Sequence, residues 1–152
     1  MKKILYILVL SFAFFGCEKS EKKTYANCTK GELEINANLI PYLDAFVDDC
    51  ETHNIKSDHA YCLNYIKLFS QERPSFQGQT SFEDGTIIIN ENLIEDTIGT
   101  KFVFYHELGH WFGLDHSTGI MKESYNTKED MEYVRDNWDE LLEDYFDKLK
   151  TK

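Results

Sequence analysis

Apolar residues along this chain recur with helical period in some stretches and cluster as β-branched or aromatic runs in others, and the switches mark out its elements. Leu43, Phe46, Val47 and Cys50 recur at i, i+3, i+4 and i+7, the stripe of an amphipathic helix over residues 38–53. Asn36 or Asn38 offers its cap, and Pro41 falls in a first turn that tolerates it. Residues 61–69 (YCLNYIKLF) are aromatic and β-branched and predict a strand. Residues 70–85, with Pro74, Gly78 and Asp84-Gly85, predict a loop, and 86–89 (TIII) a second, short strand. Asp96 or Thr97 then caps a helix running to Gly113. Thr127, three residues before Asp130, opens one long surface helix to about residue 150, with Met131, Val134, Trp138, Leu141, Tyr145 and Leu149 on one stripe. Helix, strand, strand, helix, loop, helix is an α+β order.

The first residues follow a different rule. Lys2 and Lys3 precede an apolar run over residues 4–15 broken only by Ser11, the charged and hydrophobic parts of a secretory signal. A membrane span needs about 18 or more apolar residues, so this run is too short to be one. At Gly16-Cys17 the chain turns polar, which resembles a bacterial lipoprotein signal cleaved before a lipid-modified Cys17. Phe14 and Phe15 stand where that pattern has an aliphatic and a small residue, and a conventional signal cut elsewhere is the alternative. The expected division is a signal over 1–16, a tether over 17–30 and a domain over 31–152. The protein is then an exported, lipid-anchored envelope or surface protein whose partner is the bilayer.

Charge and cysteines narrow the partners. With 16 Lys+Arg against 27 Asp+Glu the chain carries −11, which repels phosphate backbones and argues against nucleic acid. The acidic run after residue 127 is a solvated face, and a monomer is expected. Export implies oxidation, so Cys28, Cys50 and Cys62 allow one disulfide with one thiol left over. Spacing does not choose the pairing; Cys50, on an apolar helix face, leaves open a bridge to Cys62 or burial of both.

The chemistry concentrates in residues 106–116, HELGHWFGLDH. On a helix His106 and His110 are four apart, so their imidazoles project about 40° from one another and can share a metal ion. Glu107 lies at the edge of that face, within reach of a water on the metal without being a ligand, the place for a general base. If the helix continued, His116 would sit about 9 Å beyond His110 and some 240° around the axis. The chain must turn back, and Gly113 can take the left-handed conformation that reverses it. Three imidazoles leave a fourth position for water, the mark of a catalytic zinc rather than a structural one. His53 and His59 read as surface residues. Asp44, Asp48 and Asp49 lie on a helix and do not make a calcium loop.

This constellation resembles the metzincin metallopeptidases, whose signature HExxHxxGxxH is matched by His106, Glu107, His110, Gly113 and His116, and Gly113-Leu114-Asp115-His116-Ser117 is similar to the matrixin branch. The likeness runs over residues 97–121 and is architectural elsewhere. It implies a minimal metzincin-like fold: a small mixed sheet with an antiparallel edge strand, a backing helix, a zinc-binding helix, a Met-turn and a C-terminal helix. Gly119-Ile120-Met121 looks like the Met-turn, with Met121 five residues past His116. In some metzincins a tyrosine two residues after the methionine contacts the metal; position 123 is Glu123 here, and Tyr125 is the nearest candidate for a metal or oxyanion contact. Cys28 lacks the matrixin propeptide motif around it, so a latency thiolate is not expected.

The activity implied is zinc-dependent endopeptidase action on a peptide or protein substrate, with one catalytic Zn2+ and Glu107 as general base toward a zinc-activated water. An extended substrate is expected to pair with an edge strand near residues 86–89. The alternatives are an anchored zinc-binding module without turnover and a metallohydrolase of a small amide.

Overall fold

The computed structural model of the chain describes residues 33–70, 77–123 and 128–152. The expected signal (1–16) and tether (17–30), Cys17, Cys28 and Tyr125 lie outside these residues. Among those described, no helix is long and apolar enough to cross a membrane.

The first strand, β1 (Glu34–Ile35), leads through a 3-10 turn into α1 (Ile40–Thr52). Neither asparagine caps α1 as expected: Asn36 caps the 3-10 turn, its side chain accepting from the Asn38 amide, and α1 starts after Leu39 with no side-chain cap because that turn already leads the chain into it. The expected stripe faces the core, with Leu43, Phe46 and Cys50 buried and Val47 packed at its margin. Then come β2 (Tyr65–Phe69), β3 (Gly78–Ser81), β4 (Thr86–Asn90) and α2 (Thr97–Trp111). Asp96 caps α2 by accepting from the Gly99 amide at 3.2 Å. Two helices, α3 (Lys128–Asp136) and α4 (Trp138–Lys150), end the chain.

The sheet order is β1-β2-β4-β3, with β1, β2 and β4 parallel and β3 antiparallel to β4. This is the mixed sheet with an antiparallel edge that an α+β metzincin-like fold requires. Three expectations about it need correction. Tyr61 and Cys62 belong to a 3-10 segment, Ser57–Cys62, and the strand starts only at Tyr65. Within the stretch expected to be loop, residues 78–81 form β3. And β4 is not the edge: it is paired with β2 on one side and β3 on the other, so its backbone groups are taken and β3 carries the edge.

The C-terminal helix is also not continuous. Asn137, at φ −119° and ψ 20°, separates α3 from α4, and its Nδ2 donates to the Tyr133 carbonyl at 2.8 Å. The Asn137 backbone amide also donates to that carbonyl at 3.0 Å, so side chain and main chain share one acceptor where the two helices meet. The stripe stays in phase across it, so Val134, Leu141, Tyr145 and Leu149 are all buried.

Helices α1, α2 and α4 meet at one aromatic node. Phe46 of α1 stands edge-on to Tyr105 of α2 at 5.2 Å and lies against Tyr145 and Phe146 of α4 at 6.4 and 6.0 Å. Such pairs contribute about 0.5–1.5 kcal/mol each beyond the area they bury. The Tyr145 hydroxyl donates to the Tyr105 carbonyl at 2.8 Å, tying α4 to the residue before His106. Cys50 lies in this core as a free, buried thiol. A Cys50–Cys62 bridge therefore does not form. Cys62 is disulfide-bonded, and not to Cys50.

Candidate metal centre

Helix α2 is apolar around most of its circumference, and all of it from Phe102 to Gly109 is buried. His106 and His110 project from it, and the chain then reverses as the spacing demands. Gly113 has φ +89°; its amide donates to the His110 carbonyl and the Leu114 amide donates to the Gly109 carbonyl, both at 2.8 Å. That hydrogen-bond pair is the Schellman ending, with the left-handed residue supplied by glycine.

The reversal brings His116 back. Its Nε2 is 3.1 Å from the Nε2 of His110, which is 3.1 Å from the Nε2 of His106. Among the described residues, His106, His110 and His116 are the group whose ligand atoms converge as a metal site. His106 is buried, His110 half-buried and His116 exposed, so the cluster opens to solvent on one side. His53 and His59 are not in it. Neither is the surface residue it was expected to be: His53 stacks on Phe146 at 4.4 Å, and His59 exchanges hydrogen bonds with Trp111 through both backbone and ring. Asp49 accepts from the Tyr105 hydroxyl at 2.6 Å and lies 3.7 Å from Lys101, a structural role.

The protonation of the triad follows from its partners. His106 Nδ1 lies 2.8 Å from the Ile120 carbonyl, and His110 Nδ1 lies 2.9 Å from the Leu114 carbonyl. A carbonyl only accepts, so both Nδ1 atoms carry the proton and donate, and each neutral ring presents a bare lone pair on Nε2. Burial keeps the rings neutral: it lowers the His106 pKa to about 4 and the His110 pKa below its ordinary value, against the raising effect of these two carbonyl bonds. Two lone pairs facing one another at 3.1 Å repel unless a cation lies between them. Nitrogen ligands at 2.0–2.1 Å in a tetrahedral zinc shell stand roughly 3.3 Å apart, so the donor set fits zinc.

Two supports of this geometry left no mark in the motif. The carbonyl of Ile120, in the 3-10 turn Gly119–Met121, orients His106, and the turn carbonyl of Leu114 orients His110; backbone groups carry no side-chain signature. Met121 is fully buried against α2 at Gly109, where a Cβ would overlap its Sδ and reach Tyr145 Cε2 at 3.0 Å. The glycine between the two histidines thus lets Met121 and Tyr145 approach the helix.

Glu107 is 5% exposed and lies against the edge strand. The Thr80 hydroxyl is 2.8 Å from its Oε2 and 2.8 Å from its backbone carbonyl. Burial raises the Glu107 carboxyl to about 7, partly offset by the Thr80 hydrogen bond. A carboxylic acid poised near neutrality beside an imidazole triad can both accept and return a proton.

The matrixin family model matches residues 46–142, more than half of the chain. The chain belongs to the matrixin family. No curated protein and no solved structure matches it. Matrixins are zinc-dependent metalloendopeptidases, and this matrixin retains the histidine triad, so family and site both point to a zinc metalloprotease.

Proposed function

We propose that this matrixin is a zinc-dependent endopeptidase in which His106, His110 and His116 hold the metal and Glu107 is the general base. The observation that carries the proposal is the convergence of three Nε2 atoms, two with their other ring nitrogen committed to backbone carbonyls, next to a buried carboxyl. When bound, zinc supplies Lewis acidity for the substrate carbonyl and lowers the pKa of water to about 7. Glu107 accepts the proton of the attacking water at its carboxylate and delivers it to the leaving nitrogen. Met121 supports the triad from below, and Tyr125 is the candidate for a further contact to metal or oxyanion.

The outer edge of β3 supports an extended substrate, because it is the antiparallel edge strand and its inner face holds Glu107. The enzyme domain spans residues 31–152 behind a signal and a tether, and lipidation at Cys17 anchors the protein as a monomer at the envelope or surface.

The test compares wild type with Glu107→Ala on a mixed peptide library, with zinc content measured in both. Cleavage by wild type alone, at equal zinc, supports the reading. Zinc bound by both with no cleavage by either would replace it with a non-catalytic binding module; turnover confined to small amides would replace the substrate class.

A further inference from the structure

The contact between β3 and Glu107 is closer and more specific than sheet packing requires. Gly78 and Thr80 are two apart on one strand and so present to the same face, the one turned toward α2. At Gly78 a Cβ would come within 2.7 Å of Val103 Cγ1 and 2.9 Å of both Glu107 Cγ and Oε1, so only glycine lets the strand lie this near. At Thr80 the hydroxyl reaches both the carbonyl and the carboxyl of the same residue, each at 2.8 Å. One residue of the pair makes room for the Glu107 side chain and the other grips it. A carboxylate this deeply buried is costly without a partner, and Thr80 is the side chain that provides one.

We infer that Thr80 is a positioning residue: its hydroxyl fixes the Glu107 carboxyl against the strand on which substrate lies. The inference rests on the hydrolase reading above. It also links two parts of that reading, because the strand that pairs with substrate through its outer backbone edge aims the general base through its inner face. Substrate registered on β3 is thereby registered to Glu107, which is what proximity and orientation ask of a hydrolase.

The experiment uses the zinc-loaded full chain carrying Thr80→Val, Thr80→Ala or Thr80→Ser, each in the wild-type and Glu107→Ala backgrounds. One readout is kcat and KM on a cleaved peptide; the other is calorimetric affinity for acetohydroxamate, a zinc-directed probe that hydrogen-bonds to a carboxylate beside the metal. Hydrogen bonds to charged groups set the expected scale. Thr80→Val lowers kcat about 10- to 100-fold with KM within about twofold, and Thr80→Ser returns kcat to within about threefold. Thr80→Val weakens acetohydroxamate about tenfold when Glu107 is present and less than twofold when it is alanine. Unchanged kcat and probe affinity in Thr80→Val would overturn the inference, as would equal weakening of the probe in both backgrounds, which marks a merely structural threonine. If Thr80→Val does not fold, Thr80→Ala carries the same comparison. If the wild type binds zinc and cleaves nothing, the hydrolase reading fails, while the acetohydroxamate cycle still decides the role of Thr80.

Discussion

Gly113 offers a clean test of how the third histidine reaches the site, because conformation and sterics separate there. Its φ is +89°, and a Cβ built on it meets no atom within 4 Å. Any effect of Gly113→Ala therefore comes from the backbone. An L side chain in the left-handed region costs roughly 1–2 kcal/mol, and alanine regains about 0.4–1 kcal/mol by restricting the unfolded chain. The difference is about 1 kcal/mol against the variant. In the zinc-free protein the exposed His116 end of the loop can shift while Leu114 stays buried and bonded to Gly109. With zinc bound, His116 must return to His110, and the strain then appears in metal affinity as a loss of about fivefold. Competition with a chelating dye measures that affinity, and denaturant unfolding with and without zinc measures the stability. Gly113→Asn, which tolerates positive φ, should recover part of the loss. An alanine variant that binds zinc as tightly as wild type would refute the claim that this dihedral delivers the third ligand.

Three further outcomes are expected. Gly109→Ala gains about 1 kcal/mol of helix propensity, yet its methyl overlaps Met121 and presses on Tyr145; a net loss of about 1–2 kcal/mol in denaturant unfolding checks that overpacking dominates. Cys50, whose thiol burial pushes up to about 12, should resist iodoacetamide at pH 8 in the native protein and react once it is unfolded, as mass spectrometry would read. Glu107→Gln should stabilise the zinc-free fold at pH 8 and leave it unchanged at pH 4: the folded carboxyl titrates near 7 rather than 4.5, so its ionisation removes stability as pH rises between those values. The gain is on the order of 3 kcal/mol at most, and equal urea midpoints for the two proteins at pH 8 would contradict it.

How much of this was legible in the residues depends on whether a side chain carries the signal. The stripe through Leu43, Phe46 and Cys50, the imidazole spacing and the need for reversal at Gly113 are all statements about side chains, and all match the structure. β1 is two residues long and leaves no period to detect. β3 reads Gly-Gln-Thr-Ser, polar and glycine-bearing, because it is an edge strand whose inner face is cut to fit Glu107; the features that fit it there disguise it as a turn. The break at Asn137 is invisible to periodicity because the buried stripe continues in phase across it. The placement of substrate at residues 86–89 failed for a related reason, since a missed neighbour on one side turns an interior strand into an apparent edge.

The short connection from Gly113 to Met121 works because it is held from both sides. Toward α2, the Leu114 and Ile120 carbonyls anchor two imidazoles, and Ser117 donates its amide to the Met121 carbonyl at 2.8 Å to close the turn. Toward α4, the Lys148 ammonium donates to the Thr118 carbonyl at 2.9 Å and hydroxyl at 3.1 Å and pairs with Asp144 at 2.6 Å. Gly119, at φ +66°, leaves no room for a Cβ against that same Asp144. The loop therefore presents its backbone inward to orient ligands, while Asp115, His116, Ser117 and Thr118 stay exposed. Most of these anchors are backbone groups, so the exposed side chains of Asp115 and Ser117 are not what holds the loop in place. α4, in this view, is the outer wall of the metal centre as much as the closing element of the fold: through Tyr145 it steadies the helix that bears two ligands, and through Lys148 the loop that bears the third.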